Sequence, residues 1–166
     1  MPRRLLMLVL LCLGFFISAP ARALCIYPLC TCTTVTSNVA FGNYSPMAFG
    51  NTDSTGSIQV ACSGVVGLLI PFDLAISAGS STSFGNRTLR SGANALSYNL
   101  YTGPSYTTIW GDGSASTQMV SGGVLLDVLG LSPPQTFWIY GRIPGRQLTA
   151  VPGNYADVIN VTLTYY

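Results

Sequence analysis

The chain has no histidine, no lysine and no glutamate in 166 residues. Without histidine, neither a Ser-His-Asp nor a Cys-His nucleophile can be assembled, and the usual general base at neutral pH is missing. Without glutamate, a hydrolytic carboxylate pair would have to come from the scattered Asp53, Asp73, Asp112, Asp127 and Asp157. Zinc loses its imidazole ligands, and Cys25, Cys30 and Cys32 are too crowded for ordinary zinc spacing. Asp112, within Trp110-Gly111-Asp112-Gly113, lacks the repeated acidic partners of a calcium loop and reads as a tight turn. No enzyme, metal site or cofactor is expected.

Long apolar runs are equally scarce. The one present, Leu5 to Ile17, follows Arg3 and Arg4 and precedes Ala21-Arg22-Ala23. It is too short to span a bilayer, and with its charged start and small-residue end it reads as a signal peptide over residues 1–23. Residues 24–166 are then an exported chain of one-domain length, with no later segment suited to stable membrane insertion. In this part Arg87, Arg90, Arg142 and Arg146 face the five aspartates, a net charge of −1. Such a chain has no basic footprint for nucleic acid or anionic lipid.

What replaces charge is Ser, Thr, Gly, Asn and Tyr, the residues of pleated surfaces and their turns. Short alternating segments run from end to end. Thr33 to Phe41 carries Val35, Val39 and Phe41; Ile58, Val60 and Cys62 alternate with polar or small neighbours; so do Phe72, Leu74 and Ile76, then Leu96, Tyr98 and Leu100. Phe137 to Tyr140 forms another segment. Val124 to Leu131 is the nearest approach to a helix, but Gly122-Gly123 and Pro133-Pro134 confine it to about two turns. The expected class is all-β, a sandwich or barrel. Toward the end Ile159, Val161, Leu163 and Tyr165 occupy every second position, which places four large side chains on one face of a strand.

Cys12 leaves with the leader, and the remaining four cysteines of an exported chain favour disulfides. A Cys32–Cys62 pair would close a long loop, and a Cys25–Cys30 pair a short one. Arg142 beside Phe137, Trp138 and Tyr140 could line a sugar-binding surface, although aromatics on a strand are more commonly core or groove wall.

Taken in order, Cys32 with Val39-Ala40-Phe41-Gly42-Asn43-Tyr44-Ser45-Pro46, Gly56-Ser57-Ile58-Gln59-Val60-Ala61-Cys62 and Arg87-Thr88-Leu89 resemble the spore coat protein U family. That family includes subunits of archaic chaperone–usher pili. The match continues through Leu96-Ser97-Tyr98-Asn99-Leu100-Tyr101-Thr102, Trp110-Gly111-Asp112-Gly113, Tyr140-Gly141-Arg142-Ile143-Pro144 and Gly153-Asn154-Tyr155-Ala156-Asp157 to the final tyrosines.

The resemblance implies an immunoglobulin-like β-sandwich lacking its last strand. A periplasmic chaperone would fill the resulting groove first, and a neighbouring pilus subunit would fill it after transfer at an outer-membrane usher. Export to the periplasm and then the cell surface, with a role in adhesion and biofilm formation, follows from the same resemblance. Chaperone and donor-strand binding then falls on Gly153, fourteenth from the end, and on Ile159, Val161, Leu163 and Tyr165. Leu24 to Thr31, broken by Pro28 and two cysteines, departs from the long alternating donor segment of such subunits and suits a strand acceptor better than a donor. The alternative is a self-contained coat or carbohydrate-binding surface module.

Overall fold

A computed structural model describes Cys25, residues 29–127 and residues 129–166. The segment expected as a leader, 1–23, and Leu24 and residues 26–28 of the Leu24 to Thr31 segment lie outside the described residues. The described residues form eight strands, β1 Cys30–Ser37, β2 Thr52–Gly64, β3 Leu69–Ile76, β4 Arg87–Ser91, β5 Asn94–Tyr101, β6 Val120–Leu125, β7 Gln135–Ile143 and β8 Val161–Tyr165. They form a five-stranded sheet in the order β1-β2-β7-β5-β4 and a three-stranded sheet in the order β6-β3-β8. Every pairing between strands is antiparallel. Among the described residues there is no α-helix, and the architecture is an immunoglobulin-like sandwich curled toward a half-barrel.

The period-two segments bury the faces their alternation dictates. Ile58, Val60 and Cys62 point inward from β2, Ile70, Phe72, Leu74 and Ile76 from β3, and Leu96, Tyr98 and Leu100 from β5. Between the layers the Phe72 and Phe137 rings meet edge to face at 5.6 Å. Cys32 and Cys62 stand directly opposite one another in the β1–β2 register with Cα atoms 4.1 Å apart, and a disulfide joins them. A second joins Cys25 to Cys30.

Three segments depart from the alternation. The first strand stops at Ser37, short of Phe41, because Val39 and Phe41 turn off the sheet edge onto the inner face of β2 and β7. Gly56 and Gly141 make the space. A Cβ on Gly56 would meet Val39 at 2.8 Å, and one on Gly141 would meet the Phe41 ring at the same distance. The Val124 segment is extended as far as Leu125 and then turns, closed by Asp127 Oδ1, which accepts from the amides of Leu129 and Leu131. Ile159 precedes β8 rather than belonging to it.

Among the described residues one charged side chain is wholly interior. Arg87 donates from Nε and Nη2 to the Ser77 carbonyl, from Nη2 to the Trp110 carbonyl at 2.9 Å, and from Nη1 to Asn99 Oδ1 at 2.8 Å. Asn99 passes the network on to the Phe84 carbonyl at 2.9 Å. Burial lowers the guanidinium's pKa, but its acceptors sit where its donors point, so the cation joins β3's exit, β4, β5 and the Trp110 segment.

Candidate functional site: an open groove beside the last strand

The last strand is an edge. β8 pairs with β3, with Leu163 opposite Leu74 and Tyr165 opposite Phe72, and among the described residues no strand pairs with its other side. Ser77 N bonds to the Asn160 carbonyl and Tyr166 N to the Pro71 carbonyl, so the even-numbered residues turn their backbone groups toward β3. In an antiparallel strand the intervening residues then face the other way. The amides and carbonyls of Val161, Leu163 and Tyr165 are therefore directed at the open edge, while their half-buried side chains stay on the core face and Thr162 and Thr164 are exposed. β1 is the corresponding outer strand of the larger sheet.

Between these two edges runs a groove of about 810 Å³. The chain leaving β1, from Thr36 to Tyr44, forms one wall, and the stretch from Ala150 through Val161 forms the other. Its floor is the inner face of the large sheet, with Leu96, Tyr98 and Leu100 from β5 and Ile139 and Ile143 from β7. The trench is thus an uncovered part of the sandwich core.

Both walls are held in place. Tyr44 donates its hydroxyl to the Pro144 carbonyl at 3.0 Å and accepts from the Gln147 amide at 2.9 Å. Phe41 leans edge-on against Tyr98 at 6.0 Å. On the far wall Arg90 and Ala156 exchange backbone hydrogen bonds at 2.8 and 3.0 Å. Asp157 accepts from the Tyr98 hydroxyl at 2.7 Å and from the amides of Ser80 and Val158, each at 2.9 Å. Burial first, and then the Asp157 carboxylate, push the Tyr98 phenol above its ordinary range, so it remains a neutral donor at the bottom of the trench.

The structure places the sequence-derived site residues unequally. Gly153, Ile159 and Val161 line the groove. Leu163 and Tyr165 continue the same row farther along β8, packed against the core beyond the groove lining. A Cβ on Gly153 would lie 2.6 Å from Ser91 Oγ, so a larger residue there would force the wall or the Ser91 side chain to give way. The opposite wall, with Val39, Phe41 and Tyr44, was not among the expected site residues. The inward glycines Gly56 and Gly141 are the sequence signal that a neighbouring segment needs room there.

Elsewhere, Asp112 accepts from Ser114 N and Ser114 Oγ, the closure of a tight turn. The aromatic run of β7 divides by face. Phe137 belongs to the core against Phe72, while Trp138 lies on the outer surface, 56% exposed, outside the groove lining.

With this geometry in place, the family model of the Spore Coat Protein U domain matches residues 23–162. The chain belongs to the Spore Coat Protein U domain family. The Spore Coat Protein U domain found here is also similar to a chain of a solved complex from Acinetobacter baumannii. That complex is the CsuC–CsuE chaperone–tip adhesion subunit pre-assembly complex from archaic chaperone–usher Csu pili. The TM-score is 0.52 at 20% identity, over 81% of this chain and 39% of that chain. The present chain thus spans about two fifths of the length of its structural neighbour, and the likeness establishes a shared fold. No curated protein matches the chain.

Proposed function

We propose that this Spore Coat Protein U domain is an exported, non-enzymatic subunit of a surface fibre that is completed by a strand from another polypeptide. The carrying observation is the free edge of β8 beside a trench floored by Leu96, Tyr98, Leu100, Ile139 and Ile143. An inserted strand would find backbone partners at the open edge and pockets for alternate side chains, which is recognition by strand addition. A periplasmic chaperone would supply that strand first and a neighbouring subunit would replace it, with an outer-membrane usher as the site of exchange. Family membership and the solved chaperone–subunit neighbour support this reading. Adhesion and biofilm formation are the roles such a fibre would serve.

The energetics make the partner necessary. Four or five inward side chains on a missing strand withhold roughly 6–15 kcal/mol of burial. A domain's whole net stability is only about 5–15 kcal/mol. An unpartnered subunit is therefore marginal, and its open edges invite edge-to-edge association. The N-terminal segment carries a Cys25–Cys30 link around Pro28, and proline gives no amide to a ladder. We read the subunit as a strand acceptor and a poor donor, which would suit a fibre tip or a terminator better than a repeating rod position.

The test is secretion of the full 166-residue chain into an oxidising periplasm, alone and with a periplasmic chaperone of the archaic chaperone–usher type. Recovery as a soluble one-to-one complex only with the chaperone supports the proposal. A soluble, well-folded monomer without the chaperone would remove the need for a donated strand.

A further inference from the structure

The outer face of the five-stranded sheet carries a second feature, unrelated to the trench. Trp138 and Tyr140 project from β7 on the side away from the core, and Trp138 is 56% exposed. A tryptophan open to solvent in mid-strand gives up the burial that its size would otherwise contribute.

Around it stands a braced aromatic group. Tyr106, in a left-handed backbone conformation at φ 55°, folds the loop after β5 back over the sheet. Its ring meets Tyr101 at 5.5 Å and Tyr140 at 6.4 Å, both edge to face. The Arg142 guanidinium lies 3.6 Å from the centre of the Tyr106 ring and grips Asp53 through two bonds of 2.7 and 2.8 Å. None of these groups contributes to the core. The ion pair is internal to the patch and leaves no net charge to select a charged ligand.

The register places neutral polar groups beside the rings. Thr55 stands opposite Tyr140, Ser57 opposite Trp138, and Gln59 opposite Thr136, all on the outer face of β2 and β7. A flat apolar ring with uncharged hydroxyl and amide groups at its margin suits a ligand that has one apolar face and a rim of hydroxyls. That is the surface of a pyranose. We propose that this face is a binding platform for a neutral glycan, with Trp138 as the stacking surface, Tyr140 beside it, and Asp53, Tyr106 and Arg142 as positioning residues. An acidic glycan would gain nothing from Arg142, which Asp53 already holds.

The chain carries its own reporter, since Trp110 is fully buried and Trp138 is exposed. The experiment titrates the full exported chain, in complex with its periplasmic partner if so purified, with linear tetrasaccharides of glucose, mannose and galactose. Tryptophan emission is followed throughout. At least one tetrasaccharide should give a saturable blue shift that is abolished in Trp138→Ala and weakened at least tenfold in Tyr140→Ala. Thr164→Ala, on the opposite sheet, should bind as the parent does. Emission from Trp110 reports whether each variant has kept its core. The proposal is overturned if no tetrasaccharide shifts the emission at millimolar concentration, or if Trp138→Ala binds as tightly as the parent. It is equally overturned if Trp138→Ala leaves glycan binding intact and instead impairs association with another subunit, because the face would then be a protein contact.

Discussion

Replacing Val161 with aspartate is the most direct trial of the trench. Val161 lies at the start of β8, opposite Ile76, with a half-buried side chain on the groove wall and backbone groups at the open edge. When a partner strand closes over it, its burial contributes roughly 1.5–3 kcal/mol. A carboxylate there loses that contribution and must also be desolvated without a cation nearby, at a further cost of several kcal/mol. Even about 3 kcal/mol in total lowers affinity about 100-fold, at 1.4 kcal/mol per decade. Leu163→Asp, one pair farther along, should behave alike, whereas Thr162→Ser on the exposed side should stay within about 0.5 kcal/mol of the parent. The assay is capture by immobilised chaperone, with emission from the buried Trp110 confirming that each variant has folded. Equal capture of Val161→Asp, Leu163→Asp and Thr162→Ser would refute the placement of the donated strand beside β8.

Other expectations concern the framework. Replacing Cys32 and Cys62 together by serine opens a link across 30 residues, and the chaperone-bound chain should lose about 3–4 kcal/mol in urea unfolding. Gly153→Ala should cost about 1–3 kcal/mol by overpacking against Ser91, and the double variant with Ser91→Ala should recover most of it in the same measurement. Arg87→Met leaves the Ser77 and Trp110 carbonyls without this donor and Asn99 Oδ1 with the Leu100 amide alone, so thermal unfolding should report a loss of about 3–5 kcal/mol.

Period-two alternation was enough to expose the core strands in the sequence, because a strand's two faces separate its residues without reference to anything distant. Ile58 to Cys62, Phe72 to Ile76 and Leu96 to Leu100 are buried as their spacing requires. Features set by long-range packing were not legible in that way. The early end of β1 depends on space left by Gly56 and Gly141, which lie in strands far away in sequence. The groove wall from Thr36 to Tyr44 was missed for the same reason. Trp138 and Phe137 are adjacent, and only the register with β2 fixes which of them faces outward. Ile159 keeps the alternation of β8 but stands outside it, since a spacing pattern carries no information about where pairing with β3 begins. The row that matters to the trench was visible in sequence, whereas the space it borders was not.

The arginines described above carry a consequence for resistance to proteolysis. Trypsin-like proteases cut after lysine or arginine and need that residue extended and accessible, and this chain has no lysine. From residue 29 onward only four arginines remain, and each is restrained. Arg87 is interior, Arg90 is held in a strand bonded to Ala156, Arg142 is pinned between Asp53 and Tyr106, and Arg146 covers the Phe49 ring while its amide bonds to Ala48. For an enzyme of that specificity Arg87 is out of reach, and cleavage after the exposed Arg90 or Arg146 would first have to break the backbone bonds to Ala156 or Ala48.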